Sequence, residues 1–190
     1  MKFKPNDKSG GVAIELGPTE RQLPAQSTEQ SAATLPIFNL KKILVPVDFS
    51  DCSNKALVYA TALAKQFEAE LTLMHVVEIY PGPPELILPE PNLYASQCGR
   101  KNLEVLRLAV GHAAPCEVLL RTGVPHSEIT LAAKELESDL IILSTHGHTG
   151  VARVILGSTA ERVVRHAPCP VLVVREKEHE FLKPPVTHKN

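Results

Sequence analysis

The chain has 190 residues, of which 44 % are apolar and 22 % charged, with 20 basic against 21 acidic side chains and a net charge of −1. That size and composition suit one globular domain. The near-zero charge argues against a protein that grips nucleic acid by neutralising phosphates, the scarcity of aromatics (4 %, no tryptophan) removes a base-stacking platform, and no apolar run nears the ~18 residues of a membrane span.

Residues 1–39 are polar and broken by Pro5, Pro18, Pro24 and Pro36. With so little apolar surface to offset chain entropy, they read as a flexible extension. Met1-Lys2-Phe3-Lys4-Pro5 runs straight into Asn6-Asp7-Lys8 with no apolar core, so no export signal is expected. Cys52, Cys98, Cys116 and Cys169 are scattered without a CxxC pair, which points to reduced thiols, a cytoplasmic protein and no metal site.

From residue 40 the pattern alternates. Lys42–Val47 is a short apolar run and predicts the first strand of a domain spanning 40–175. Ala56, Leu57, Ala60, Leu63, Ala64 and Phe67 then recur at helical spacing, with Ser50, Asp51 and Ser53 placed to cap the start. Leu71–Val77 is the second strand. A proline-rich stretch from Pro81 to Pro91 blurs the start of a helix marked by Leu103, Leu106 and Val110. Glu117–Arg121 is the third strand, followed by a helix carrying Ile129, Ala132, Ala133 and Leu136 behind Pro125. Leu140–Leu143 is the fourth strand. Ser158-Thr159-Ala160-Glu161 reads as a capping box opening the last helix, and Val171–Val174 is the fifth strand. Residues 176–190 are polar and read as a flexible tail. Strands that are apolar on consecutive positions, alternating with helices, predict an α/β fold with an open parallel sheet covered on both faces.

Such sheets bind ligands beyond the carboxyl ends of their strands. Asp48-Phe49-Ser50 follows the first strand. The fourth is followed by Ser144-Thr145-His146-Gly147-His148-Thr149-Gly150, and Gly157-Ser158-Thr159 then opens a helix. Glycines there allow close backbone approach, and a helix N-terminus offers N–H groups to an anion, with a phosphate the natural guest. A plain glycine turn ahead of a capped helix fits the same spacing equally well. Neither GxxxxGK[ST] nor GxGxxG after the first strand is present, so P-loop and dinucleotide chemistry are unsupported.

The span from Lys41 to Arg175 resembles the universal stress protein family. The resemblance rests on Ile43-Leu44-Val45-Pro46-Val47-Asp48, Leu73-Met74-His75-Val76, Gly123-Val124-Pro125, the loop through Gly157-Ser158, and Pro168-Cys169-Pro170-Val171-Leu172-Val173-Val174. It implies a Rossmann-like, five-stranded sheet of order 3-2-1-4-5 of the adenine nucleotide alpha hydrolase-like kind. Nucleotide-binding members carry G-x2-G-x9-G-[S/T] and hold ATP or AMP, with or without Mg²⁺. Here Gly147 and Gly157 match the second and third glycines, with nine residues, His148 to Leu156, between them, and Ser158 matches the hydroxyl position.

The resemblance further implies that Asp48 hydrogen-bonds the ribose or the adenine edge, with a helix-start cap as its alternative role. Pro46, Val47 and Val76 would line the adenine slot. Leu143 and Ser144 would flank the sugar, and Gly147, Gly157, Ser158 and Thr159 would hold the phosphates. His146 and His148 are candidate phosphate contacts or bases, and Arg153 a candidate γ-phosphate contact, against structural and solvated roles for each. The first motif glycine is Ser144, a departure that favours a second reading, a nucleotide-free dimeric interaction module. With neither a carboxylate pair nor a positioned nucleophile evident, slow hydrolysis at most is expected. A phosphoaspartate receiver is disfavoured because Arg121-Thr122-Gly123 stands where its acceptor would be. The resemblance also implies that the last strand, Val171–Val174, apolar on both faces, lies at a sheet edge and pairs antiparallel with a second copy in a homodimer; an edge covered by residues 1–39 is the alternative.

Overall fold

In the computed structural model the described residues are 2–5, 12–15, 39–78, 89–145, 156–175, 177 and 182. The chain divides into two units, Met1–Ile37 and Phe38–Asn190. In the first, β1 (Lys2–Pro5) and β2 (Val12–Glu15) pair antiparallel, Lys2 opposite Glu15 and Pro5 opposite Val12. The polar sequence does not point to this ribbon, because alternation across four residues is too short a signal to stand out.

The second unit is an α/β layer built on five parallel strands: β3 (Lys42–Pro46), β4 (Glu70–Glu78), β5 (Cys116–Gly123), β6 (Leu140–Ser144) and β7 (Val171–Val174). Their order is β5-β4-β3-β6-β7, which is 3-2-1-4-5 counted within the unit. Between them run α1 (Asp51–Phe67), α2 (Pro89–Val110), α3 (Pro125–Glu135) and α4 (Ser158–His166). Pro89 and Pro91 open α2 in its first turn, where the missing N–H removes no helical hydrogen bond.

Consecutive apolar residues follow from burial on both faces. Ile43, Val45 and Val47 enter one core cluster with Ala56, Ala60 and Leu103 of α1 and α2. Leu44 enters the other with Met74, Ile129, Ala132 and Val163, under α3 and α4. Period-two alternation thus sends neighbouring residues into opposite cores. Register is pinned at the amino edge of the sheet. The Asp139 carboxylate accepts the N–H groups of Lys41 (2.8 Å) and Lys42 (2.9 Å), while Asp139 N donates to Lys42 O at 2.9 Å. These bonds tie the entry of β3 to that of β6, and Ile43 lies opposite Leu140.

Candidate functional site

At the carboxyl edge the chain turns sharply from β3 into α1. Phe49 takes a left-handed conformation (φ 66°), which for a bulky residue stores of order 1 kcal/mol. Local bonds hold the turn. Asp48 Oδ1 accepts the Ser50 hydroxyl (2.6 Å) and the Ser50 N–H (3.1 Å). Ser50 is the N-cap of α1 and its Oγ accepts from Ser53 N at 3.2 Å. The Phe49 ring lies against His75 with centroids 4.5 Å apart, and His75 Nδ1 pairs with Val47 O at 2.9 Å. A Cβ on Gly99 would stand 3.0 Å from His75 Cδ2 and 3.1 Å from Leu120 Cδ1, so glycine lets α2 approach β4 at this ring.

Across the β3/β6 divide, β6 ends at Ser144. The buried Thr145 donates its N–H to Val174 O (2.9 Å), and its carbonyl accepts the N–H of Gly157 at 2.7 Å. That second bond brings the start of α4 back beside the end of β6. Gly157 is the N-cap, with Glu161 N donating to its carbonyl at 2.9 Å. The capping box expected from Ser158 to Glu161 is therefore not formed. The bonds at Gly157 start the helix one residue early, so Ser158 lies inside the first turn and is exposed. The first N–H groups of such a helix lack intrahelical acceptors, and the aligned peptide dipoles favour negative charge there.

The carboxyl edge of the sheet therefore brings together Pro46, Val47, Asp48, Val76, Leu143, Ser144, Gly157, Ser158 and Thr159 at strand ends and one helix start. Gly147 and His148, with His146, Gly150 and Arg153, lie outside the described residues. Val47 is committed to the fold: its side chain is in the first core cluster, its N–H donates to Met74 O at 2.8 Å, and its carbonyl faces His75. Leu143 is likewise core, 4 % exposed, and Val76 packs against the same second cluster. Asp48, Ser144 and Thr159 are partly exposed.

Sequence reasoning assigns no role at this edge to Phe49, His75 or Thr145. A histidine inside an apolar strand is the signal that could have found His75. The left-handed turn and the Thr145–Gly157 bond have no local signature. On the same edge, β5 leads into α3 through Gly123. Its φ is 153°, and a Cβ there would stand 2.8 Å from Glu128 Oε1, so the position suits only glycine. His126, in the first turn of α3, is held below its ordinary pKa by burial and then by the charges of Arg162 and His166. Among the described residues no group of three or more His, Cys, Asp or Glu is placed to hold a metal ion, and no helix is long and apolar enough to cross a membrane. All four cysteines are free.

The family model for universal stress proteins matches residues 39–175. The universal stress protein MJ0531 of Methanocaldococcus jannaschii is 37 % identical over 147 residues, covering 74 % of this chain and 85 % of its own. Among solved structures, the universal stress protein UspA from Lactobacillus plantarum superposes with a TM-score of 0.63 at 33 % identity, over 73 % of this chain and 100 % of its own. A universal stress protein from Archaeoglobus fulgidus in complex with dAMP shares the fold (TM-score 0.54) at 20 % identity, over 72 % of this chain and 99 % of its own.

Proposed function

Because the chain belongs to the universal stress protein family, we propose that it binds an adenine nucleotide, ATP or AMP, with or without Mg²⁺, at the carboxyl edge of β3 and β6 and serves a stress-response or signalling role in the cytoplasm. The observation that carries this reading is the 2.7 Å bond from Gly157 N–H to Thr145 O, which sets the start of α4 against the strand that bears Ser144. A phosphate at that helix start meets backbone N–H groups and the Ser158 and Thr159 hydroxyls, the chemistry an anion needs without a lysine. Asp48, its carboxylate oriented by Ser50, meets the ribose or adenine edge. Pro46 and Val76 line the base, and Leu143 supports the sugar from the core below. Gly147 and His148 complete the phosphate loop in this reading. The relative that holds dAMP supports an adenine nucleotide as the guest. N–H groups and hydroxyls bind phosphate without activating water, so hydrolysis is slow at most.

Residues 40–175 are the binding domain, with 1–39 and 176–190 as appendages. β7 lies at an edge of the sheet, beside β6 alone, and in this reading pairs antiparallel with β7 of a second copy. A specific observation favours a second reading, a nucleotide-free dimer that works by protein contacts: Ser144 stands where the motif has its first glycine.

One experiment separates the two. The protein is purified without added nucleotide and denatured by heat, and the supernatant is assayed for adenine nucleotides. Titration calorimetry with ATP and Mg²⁺ follows, on the unchanged chain and on Ser144→Gly. Nucleotide in the supernatant, or binding heat that sharpens in Ser144→Gly, is expected. Clean supernatant with no heat in either chain rejects the nucleotide reading, and sedimentation then reports whether the dimer stands without it.

A further inference from the structure

α2 is apolar on two opposite sides. Gly99, Leu103 and Val110 are buried where the helix packs on β4 and β5. Half a turn round the helix, Tyr94, Cys98, Lys101, Val105 and Leu108 follow one another at alternating steps of four and three residues. That spacing keeps one narrow stripe in line along a helix. The stripe faces solvent: Tyr94 is 71 % exposed, Val105 57 % and Leu108 69 %. A helix that only covers a sheet carries polar residues on its outer face, so this row suits a partner with a stripe of its own.

The residues of the stripe select a second copy of this chain, running antiparallel. In a parallel pair each residue meets itself, and Lys101 would face Lys101 of the second copy inside the apolar seam, a like-charge repulsion. An antiparallel pair centred between Gly99 and Arg100 avoids this. Tyr94 of one copy then meets Val105 of the other, Cys98 meets Lys101, and Gln97 on one rim meets Glu104, an amide donor against a carboxylate. The two Lys101 side chains lie diagonally, each with its stem along the seam and its ammonium in water. The other rim holds Ala95, Asn102 and Ala109, small side chains that let two helices approach to about 8 Å. Tyr94, Val105 and Leu108 of two copies together offer roughly 800 Å² of exposed surface. With Cys98, Lys101 and the two rims added, the contact reaches the ~1,000 Å² that a specific association needs.

We propose that the outer face of α2, from Tyr94 to Leu108, is a self-association surface at which two copies of the chain pair their α2 helices antiparallel about a two-fold axis. α2 covers the β5 end of the sheet, and β7 lies at the other end. A contact through α2 therefore leaves the β7 edge free, and a chain that uses both edges builds assemblies larger than a dimer.

The test is sedimentation equilibrium of the full chain across the micromolar range, on the unchanged chain, on Tyr94→Lys and Val105→Glu singly, and on the two together. Each single change puts a charge into the seam and should weaken the contact at least tenfold. At a concentration where the unchanged chain is associated, the average mass then falls to about half or below, whether or not β7 also pairs. The double variant sets opposite charges against each other twice across the antiparallel pair and should regain the mass of the unchanged chain. Both positions are exposed, so circular dichroism should match in all four; if one single variant does not fold, the other decides the loss. Equal masses in the unchanged chain and the single variants overturn the proposal. A double variant no heavier than the singles also overturns it, because the stripe then meets a different partner or a second copy in another register.

Discussion

Ser50→Ala removes two bonds at once and so tests how the carboxyl edge is held. The hydroxyl accepts from Ser53 N at 3.2 Å as the cap of α1 and donates to Asp48 Oδ1 at 2.6 Å. Loss of a serine cap costs about 1 kcal/mol. Loss of a hydrogen bond to a carboxylate costs ~1.5–3 kcal/mol when fully buried. Asp48 is only half-buried and keeps the Ser50 N–H at 3.1 Å, which reduces that part to about 1 kcal/mol. The sum is about 2 kcal/mol, a fall in Tm of ~4–8 °C for a unit of this size. Urea unfolding of Ser50→Ala, Asp48→Ala and the double variant gives the needed cycle. Because the two side chains share a bond, the double variant should lose ~1 kcal/mol less than the sum of the singles. A loss below ~0.5 kcal/mol in Ser50→Ala, or strict additivity, refutes the idea that this pair holds the left-handed turn at Phe49.

Gly123→Ala places a Cβ 2.8 Å from Glu128 Oε1 on a backbone with φ 153°. It should cost ~1–3 kcal/mol by urea unfolding, and Glu128→Ala in the same chain should recover only the steric part. The Cys116 thiol is pushed up to about 11, chiefly by burial. Its alkylation at pH 8, followed by peptide mass spectrometry, should run about a hundredfold slower in the folded chain than in urea; equal rates would disprove the burial argument. His126 sits below its ordinary 6.5 through burial and then through Arg162 and His166. The unfolded chain therefore takes up the proton more readily. The stability this residue contributes is present above pH 6.5 and is lost as pH falls below that value. Urea midpoints on the two sides of that pH should differ less in His126→Gln.

The sequence by itself determined the five strands of the parallel sheet and most helices, because burial on two faces demands runs such as Ile43-Leu44-Val45 and a one-sided helix demands the spacing of Ala56, Ala60 and Ala64. It also pointed to the carboxyl edge of the sheet as the place for the proposed ligand site, since Asp48 closely follows β3 and Ser144 ends β6. The start of α2 was hidden by prolines that are harmless in a first turn. The cap of α4 fell on Gly157 because a carbonyl from Thr145, twelve residues away in sequence, holds its N–H. The same limit hid the role of His75, whose ring is set by Val47 and Phe49 of the turn after β3 and by Gly99 of α2. It hid the place of Leu182 as well, which lines a cavity with Asn54 and Tyr59, more than a hundred residues away in sequence. Only the tertiary structure decided these points, since each depends on groups that local periodicity does not relate and that meet only once the sheet has formed.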